Sequence, residues 1–119
     1  MNFMEKAKFY REVKSLFNSS YPEGCIKITS NESPIHAQVK TLVALYFQKM
    51  DYEVFSEVNL KDLTGRCDLV VISIKHATAY IVEIVNSESK ESIERKKSEY
   101  PLEVIFVDAK TFNYDEFKY

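Results

Sequence analysis

Apolar residues in this chain recur at two spacings, and the switches between them mark its elements. Over residues 2 to 17, Phe3, Met4, Ala7, Tyr10, Val13, Leu16 and Phe17 follow a helical period, which predicts an amphipathic helix. The turn formers of NSSYPEG, Asn18 to Gly24, stop it, and CIKIT reads as a short strand with Cys25, Ile26 and Ile28 ready to pack. Ser33-Pro34 then signals a helix start, because Ser caps free amides and Pro fits the first turn. The predicted helix runs from Pro34 to Met50, with Ile35, Val39, Leu42, Val43, Tyr46 and Met50 as its core stripe, broadened by Leu45 and Phe47.

From Tyr52 the period shortens to two. EVFSEVNL is a strand with Tyr52, Val54, Ser56 and Val58 on one face and Phe55 and Glu57 on the other. KDLTG, Lys61 to Gly65, connects it to CDLVVISI, and KHAT, Lys75 to Thr78, connects that strand to AYIVEIV, so the middle of the chain reads as a three-stranded antiparallel meander. NSESKESIERKKSEY is a polar helix at an edge, ended by Pro101. LEVIFVDA is a nearly continuous apolar run, which suits a buried strand parallel to the one before the helix. TFNYDEFKY keeps spaced aromatics and is expected to dock as a last turn of helix. The predicted class is α/β, a central mixed sheet of about four to five strands flanked by helices.

Composition narrows this to one domain, since 119 residues with 45% hydrophobic content support a single modest core. No apolar run approaches the roughly 20 residues that span a bilayer, and the N-terminus lacks the apolar centre of a secretory signal. A soluble, cytoplasmic protein without membrane association is expected. Cys25 and Cys67 stand far apart without zinc-ligand companions and read as buried thiols, a disulfide staying open for a hyperthermophile chain. The net charge of −2 provides no global basic field, so binding nucleic acid would need a local patch or a metal.

Two carboxylates break the apolar strands: Asp68 heads CDLVVISI and Glu83 interrupts AYIVEIV. By strand period Asp68 shares a face with Val70, Ile72 and Ile74, and Glu83 with Ile81 and Val85. If the two strands are neighbours, the acids meet at one end of the sheet and repel, and a hard divalent cation relieves that conflict. The alternative is a satisfied structural pair bonding Arg66 or backbone amides. Glu57 is a supporting acid or a solvated strand residue, His36 an exposed helix residue or a ligand, and His76 a turn residue. The ERKK run is a solvated face or, directly after the acids, a phosphate contact.

The order helix, strand, strand with Asp, strand with Glu, helix, strand over Pro34 to Ala109 resembles the core of the PD-(D/E)XK nuclease superfamily, the restriction-endonuclease-like fold. GRCDLVV with Asp68 resembles its Asp motif and IVEIV with Glu83 its Glu-x-Lys motif. The resemblance implies Mg²⁺- or Mn²⁺-dependent hydrolysis of phosphodiester bonds in DNA, with Asp68 and Glu83 catalytic and metal-binding and Glu57 assisting the metal. DNA is the implied partner, and a homodimer is compatible with it. The chain departs from the motif at Val85, where the lysine would stand. Lys90, Lys96 and Lys97 of the following helix are the available substitutes, with Lys90 and Lys97 taken as the catalytic candidates. A catalytically inactive descendant that binds DNA or a protein is the alternative function, and a purely structural interaction domain the third.

Overall fold

The computed structural model describes residues 2–61 and 65–119. Eight elements follow in order: α1 (Phe3–Lys14), β1 (Phe17–Ser19), α2 (Pro34–Lys49), β2 (Glu53–Leu60), β3 (Arg66–Ser73), β4 (Thr78–Val85), α3 (Lys90–Glu99) and β5 (Val104–Asp108). The strands form one mixed sheet in the order β1-β2-β3-β4-β5. The first three pairings are antiparallel and β4–β5 is parallel. The α/β architecture, the meander and the parallel strand after a helix are as the sequence pattern predicts. Residues 62–64 of the β2–β3 connection lie outside the described residues.

Each face of the sheet carries its own core. On one, Val39, Val43, Ala44 and Phe47 of α2 pack on Val54, Leu69, Val71, Val82, Ile84, Ile105 and Val107. On the other, Val13, Phe17, Phe55, Val58, Leu60, Cys67, Val70, Ile72 and Ile81 cluster, with Tyr10, Tyr100 and Leu102 against them. Ser33 caps α2, its hydroxyl accepting from the His36 amide, and Pro34 sits in the first turn as expected.

Several local expectations are corrected. The apolar start of α1 is unburied, with Phe3 83% and Met4 78% exposed and Val13 its one buried residue. Phe17 belongs to β1 and not to the helix, so Asn18 and Ser19, read as turn, are strand. CIKIT is not a strand but an extended segment tied to β2 by side chain and amide: the Ser56 hydroxyl donates to Cys25 O, the Lys27 amide donates back to it, and the Gly24 amide reaches Val54 O. Gly24 has φ +81°, a left-handed turn that suits the residue. The buried stripe of α2 is rotated toward Lys40, Ala44 and Phe47, leaving Ile35, Leu45 and Met50 exposed. The tail docks through Phe112 and Phe117 without forming a helix. Cys67 is buried, Cys25 is exposed, and both are free thiols.

The strand alternation also breaks, in β2 and β3 together. Val54 lies in one core while Phe55, Val58 and Leu60 lie in the other, so two successive residues, Ser56 and Glu57, separate inward positions that a regular strand would space by one. Glu57 has φ +50°, a left-handed conformation that costs a non-glycine residue about 1–3 kcal/mol. Opposite it, Cys67 and Leu69 should share a face and do not. Asp68 therefore leaves the Val70 and Ile72 face assigned to it by period and turns toward α2.

A candidate acid cluster at the broken end of the sheet

Register brings the three acids of the meander into a row. Ser56 pairs with Leu69 and Val58 with Cys67, so Glu57 stands opposite Asp68; Leu69–Val82 is the last β3–β4 pair, and the next step sets Asp68 opposite Glu83. At that step side chains replace the ladder. Asp68 Oδ2 accepts from the Ile84 amide at 2.8 Å, and Glu83 Oε2 accepts from the Asp68 amide at 3.2 Å. Each carboxylate thus holds a backbone N–H of the other's strand. Among the described residues, no group of three or more His, Cys, Asp or Glu side chains is gathered as a metal cage.

Glu83 is buried and keeps to the Ile81 face, as read from the sequence. Its Oε1 is approached by Lys96 Nζ at 3.4 Å and accepts from the Tyr100 hydroxyl at 3.3 Å. Burial first, then the charge of Asp68, push its carboxyl up to about 8, against the opposing pull of Lys96. Tyr100 is pushed up to about 12 by burial and by the charge of Glu83. Cys67, behind the pair, is raised by burial and by both acids, which makes it an unreactive thiol.

The lysine that reaches the cluster is Lys96, and neither Lys90 nor Lys97 does so. Lys90 is exposed at the start of α3, and Lys97 is exposed, 3.8 Å from Glu94 and over the Phe106 ring. Lys96 bridges Glu83 and Glu88, the latter at 2.9 Å, and Ser92 donates its hydroxyl to Glu88. Partial burial disfavours its charge, but the two carboxylates outweigh this and raise it. The ERKK run is therefore a solvated face with one lysine turned inward. Lys96 and Tyr100, four apart, share a helical stripe, and that spacing was the available signal.

On the α2 side lies a second polar group that the apolar pattern hid. Lys40 is fully buried, 0% exposed. Its ammonium donates to Lys27 O at 2.6 Å, to Glu57 Oε1 at 3.0 Å, and to Glu32 Oε2 at 2.8 Å, with Oε1 2.7 Å away. Glu57 is consequently a buried ion-pair partner, not a solvated strand residue. Burial opposes the charge of Glu32, but hydrogen bonds from Lys40, the Thr29 amide and His36 hold its carboxyl down at about 2. His36, expected to be exposed, is half-buried, with Nδ1 2.7 Å from Glu32 Oε1 and Nε2 3.4 Å from Asp68 Oδ2. His36 and Lys40 lie four apart on α2, and Glu32, just before the Ser33 cap, folds back onto both.

A polar chain therefore runs around the end of the sheet, from Glu57 through Lys40, Glu32 and His36 to Asp68, then through Glu83 to Lys96. Burial and, after it, the charge of Asp68 disfavour an ionised Glu83, a conflict of the kind that a divalent cation relieves. No helix among the described residues is long and apolar enough to cross a membrane. No protein-family model, curated protein or solved structure matches this chain.

Proposed function

We propose that this chain is a metal-dependent deoxyribonuclease of PD-(D/E)XK type in which a helix lysine has taken over from the motif lysine. The observation that carries the reading is the contact between Lys96 and Glu83 where the strand position itself is Val85. Asp68 and Glu83 would hold Mg²⁺ or Mn²⁺, with Glu57 linked to them through the Lys40 network and not as a direct ligand. The cation would supply Lewis-acid polarisation of a phosphoryl oxygen and a bound water of lowered pKa. Lys96, partly buried and held cationic chiefly by its contact with Glu88, would stabilise charge developing on the phosphate. Glu83 would surrender its proton on ion binding, and Tyr100 would hold the carboxylate's orientation through its hydroxyl.

A second reading has its own support. Asp68 and Glu83 each satisfy a backbone amide, as a purely structural pair would, and on that reading the domain is an inactive relative that binds DNA or protein. Cleavage assays on duplex, single-stranded and branched DNA with Mg²⁺ or Mn²⁺ separate the two. The nuclease reading expects Lys96→Ala to lose about 10²–10³ in rate, while Lys90→Ala and Lys97→Ala change little. No cleavage of any substrate by the wild-type protein with either metal would favour the inactive reading.

A further inference from the structure

Beside the acid pair the sheet carries a row of exposed hydrogen-bond donors. Asn18 of β1 pairs with Asn59 of β2, and Asn59 pairs with Arg66 of β3. Their strand neighbours Phe17, Val58, Leu60 and Cys67 all point into one core, so by alternation the three polar side chains stand together on the opposite face. That is the α2 face, toward which Asp68 also turns, and Arg66 precedes Asp68 by two residues. All three donors are exposed. With neighbouring strands about 4.8 Å apart the row is about 10 Å long, which matches two to three charges of one DNA strand spaced about 3.4 Å along its axis.

The charge of this surface is complementary to a polyanion. The Arg66 guanidinium is a fork of donors suited to phosphate, and each Asn adds an amide that donates. Lys27, also exposed, is held at the edge of β2 by its amide's hydrogen bond to Ser56 Oγ, with its ammonium 5.8 Å from the centre of the Tyr21 ring. Glu57, two residues before Asn59, would repel an anion here, but it is turned inward onto buried Lys40, as is Glu32. We infer that Asn18, Asn59 and Arg66 form a rack for the phosphate backbone of one DNA strand, leading from the acid pair across β3, β2 and β1 with Lys27 at its flank. This rests on the DNA-binding part of the reading above and deepens it by naming where the strand lies; it requires neither a cation nor cleavage. Contacts to phosphates fix register and orientation and carry no sequence information, so the rack binds without sequence preference.

Fluorescence anisotropy of labelled DNA oligonucleotides with the intact chain, at low salt and in EDTA, tests this apart from any chemistry. Arg66→Ala should weaken binding several-fold for every sequence tried and reduce the slope of log affinity against log salt by about 0.7 on a single strand or about 0.9 on a duplex. Arg66→Lys should restore the slope, and Asn59→Asp, which sets a negative charge in the middle of the row, should weaken binding as well. Lys75→Ala removes an exposed cation beyond the far end of β3 and should change neither affinity nor slope. Equal losses in Arg66→Ala and Lys75→Ala would reveal diffuse attraction and overturn the rack, as would affinity untouched by Asn59→Asp, or no DNA binding at all. Polyglutamate bound as tightly as DNA would overturn the assignment in favour of a surface for acidic proteins. Arg66-dependent binding without cleavage when Mn²⁺ is added would uphold the rack and remove the nuclease reading, so the two fail separately.

Discussion

Glu83 sets the behaviour of the cluster at the scale of single residues, because its folded carboxyl titrates near 8 in place of the usual 4.5. Between those values the folded chain holds a proton that the unfolded chain has released. Stability must therefore fall as pH rises from about 4.5 to 8, with a limiting slope of about 1.4 kcal/mol per pH unit for one such group. Glu32 has the opposite sign: its carboxyl is depressed, so its contribution is present above about 4.5 and is lost as pH falls toward 2. Urea titrations across this range should show the loss toward pH 8 flattened in Glu83→Gln and reversed by Mn²⁺ in the wild type. A wild-type profile that stays level from pH 5 to 8 would mean that Glu83 is ionised throughout. Asp68 and Glu83 stood out in the sequence because an acid inside an apolar run is a visible anomaly, and the structure brings the two side chains together. It missed Lys40 because one lysine between Val39 and Val43 reads as an edge of the stripe, and only tertiary packing shows that this edge faces inward.

The break in alternation of β2 and β3 matters most at the scale of elements. A two-residue period puts Asp68 with Val70; the left-handed backbone at Glu57 undoes that, and both strands change phase together. Such a break has no signature in a string of alternating residues, since Glu57 is not glycine and no turn former marks it. The side chain of Glu57 at this break is buried in an ion pair with Lys40. Lys40→Met should cost about 3–5 kcal/mol in urea unfolding, the range for stranding a buried charge. Glu57→Gln in the same background should recover part of the loss, and strict additivity of the two substitutions would show that they do not interact. Helix ends were more legible than helix faces: Ser33-Pro34 marked the start of α2 locally, whereas its inward face depended on the sheet beneath it.

Across the whole molecule, the pattern of elements predicted the β2–β3–β4 meander and the parallel β5, because a meander and a crossover helix leave few alternatives, but not the short edge strand β1. The tail was less legible, since aromatics at irregular spacing do not specify a conformation. Phe117 packs edge-on to Tyr46 and near Phe47 and Phe112, and the Tyr119 amide donates to the Tyr46 hydroxyl, so the C-terminus closes the α2 core without helix. Phe117→Ala should destabilise the domain by about 1.5–3 kcal/mol, measured by chemical denaturation. A change near zero would mean that the tail rests on the core without contributing to it.

The sheet end where side chains replace the ladder bears on how the cluster can be probed. Asp68 and Glu83 act as surrogate carbonyls for the Ile84 and Asp68 amides, so alanine at either position removes an acceptor from a strand as well as a charge from a site. An activity lost in Asp68→Ala would then mix chemistry with fraying. Asparagine and glutamine keep an acceptor oxygen while discarding the charge, and hydrogen exchange can tell the cases apart. The Ile84 amide should exchange several- to about tenfold faster in Asp68→Ala, the equivalent of one net hydrogen bond, and hold its wild-type rate in Asp68→Asn. Glu83→Ala should act in the same way on the Asp68 amide, so that each substitution sets its own clock for strand separation, governed by a carboxylate and not by the backbone.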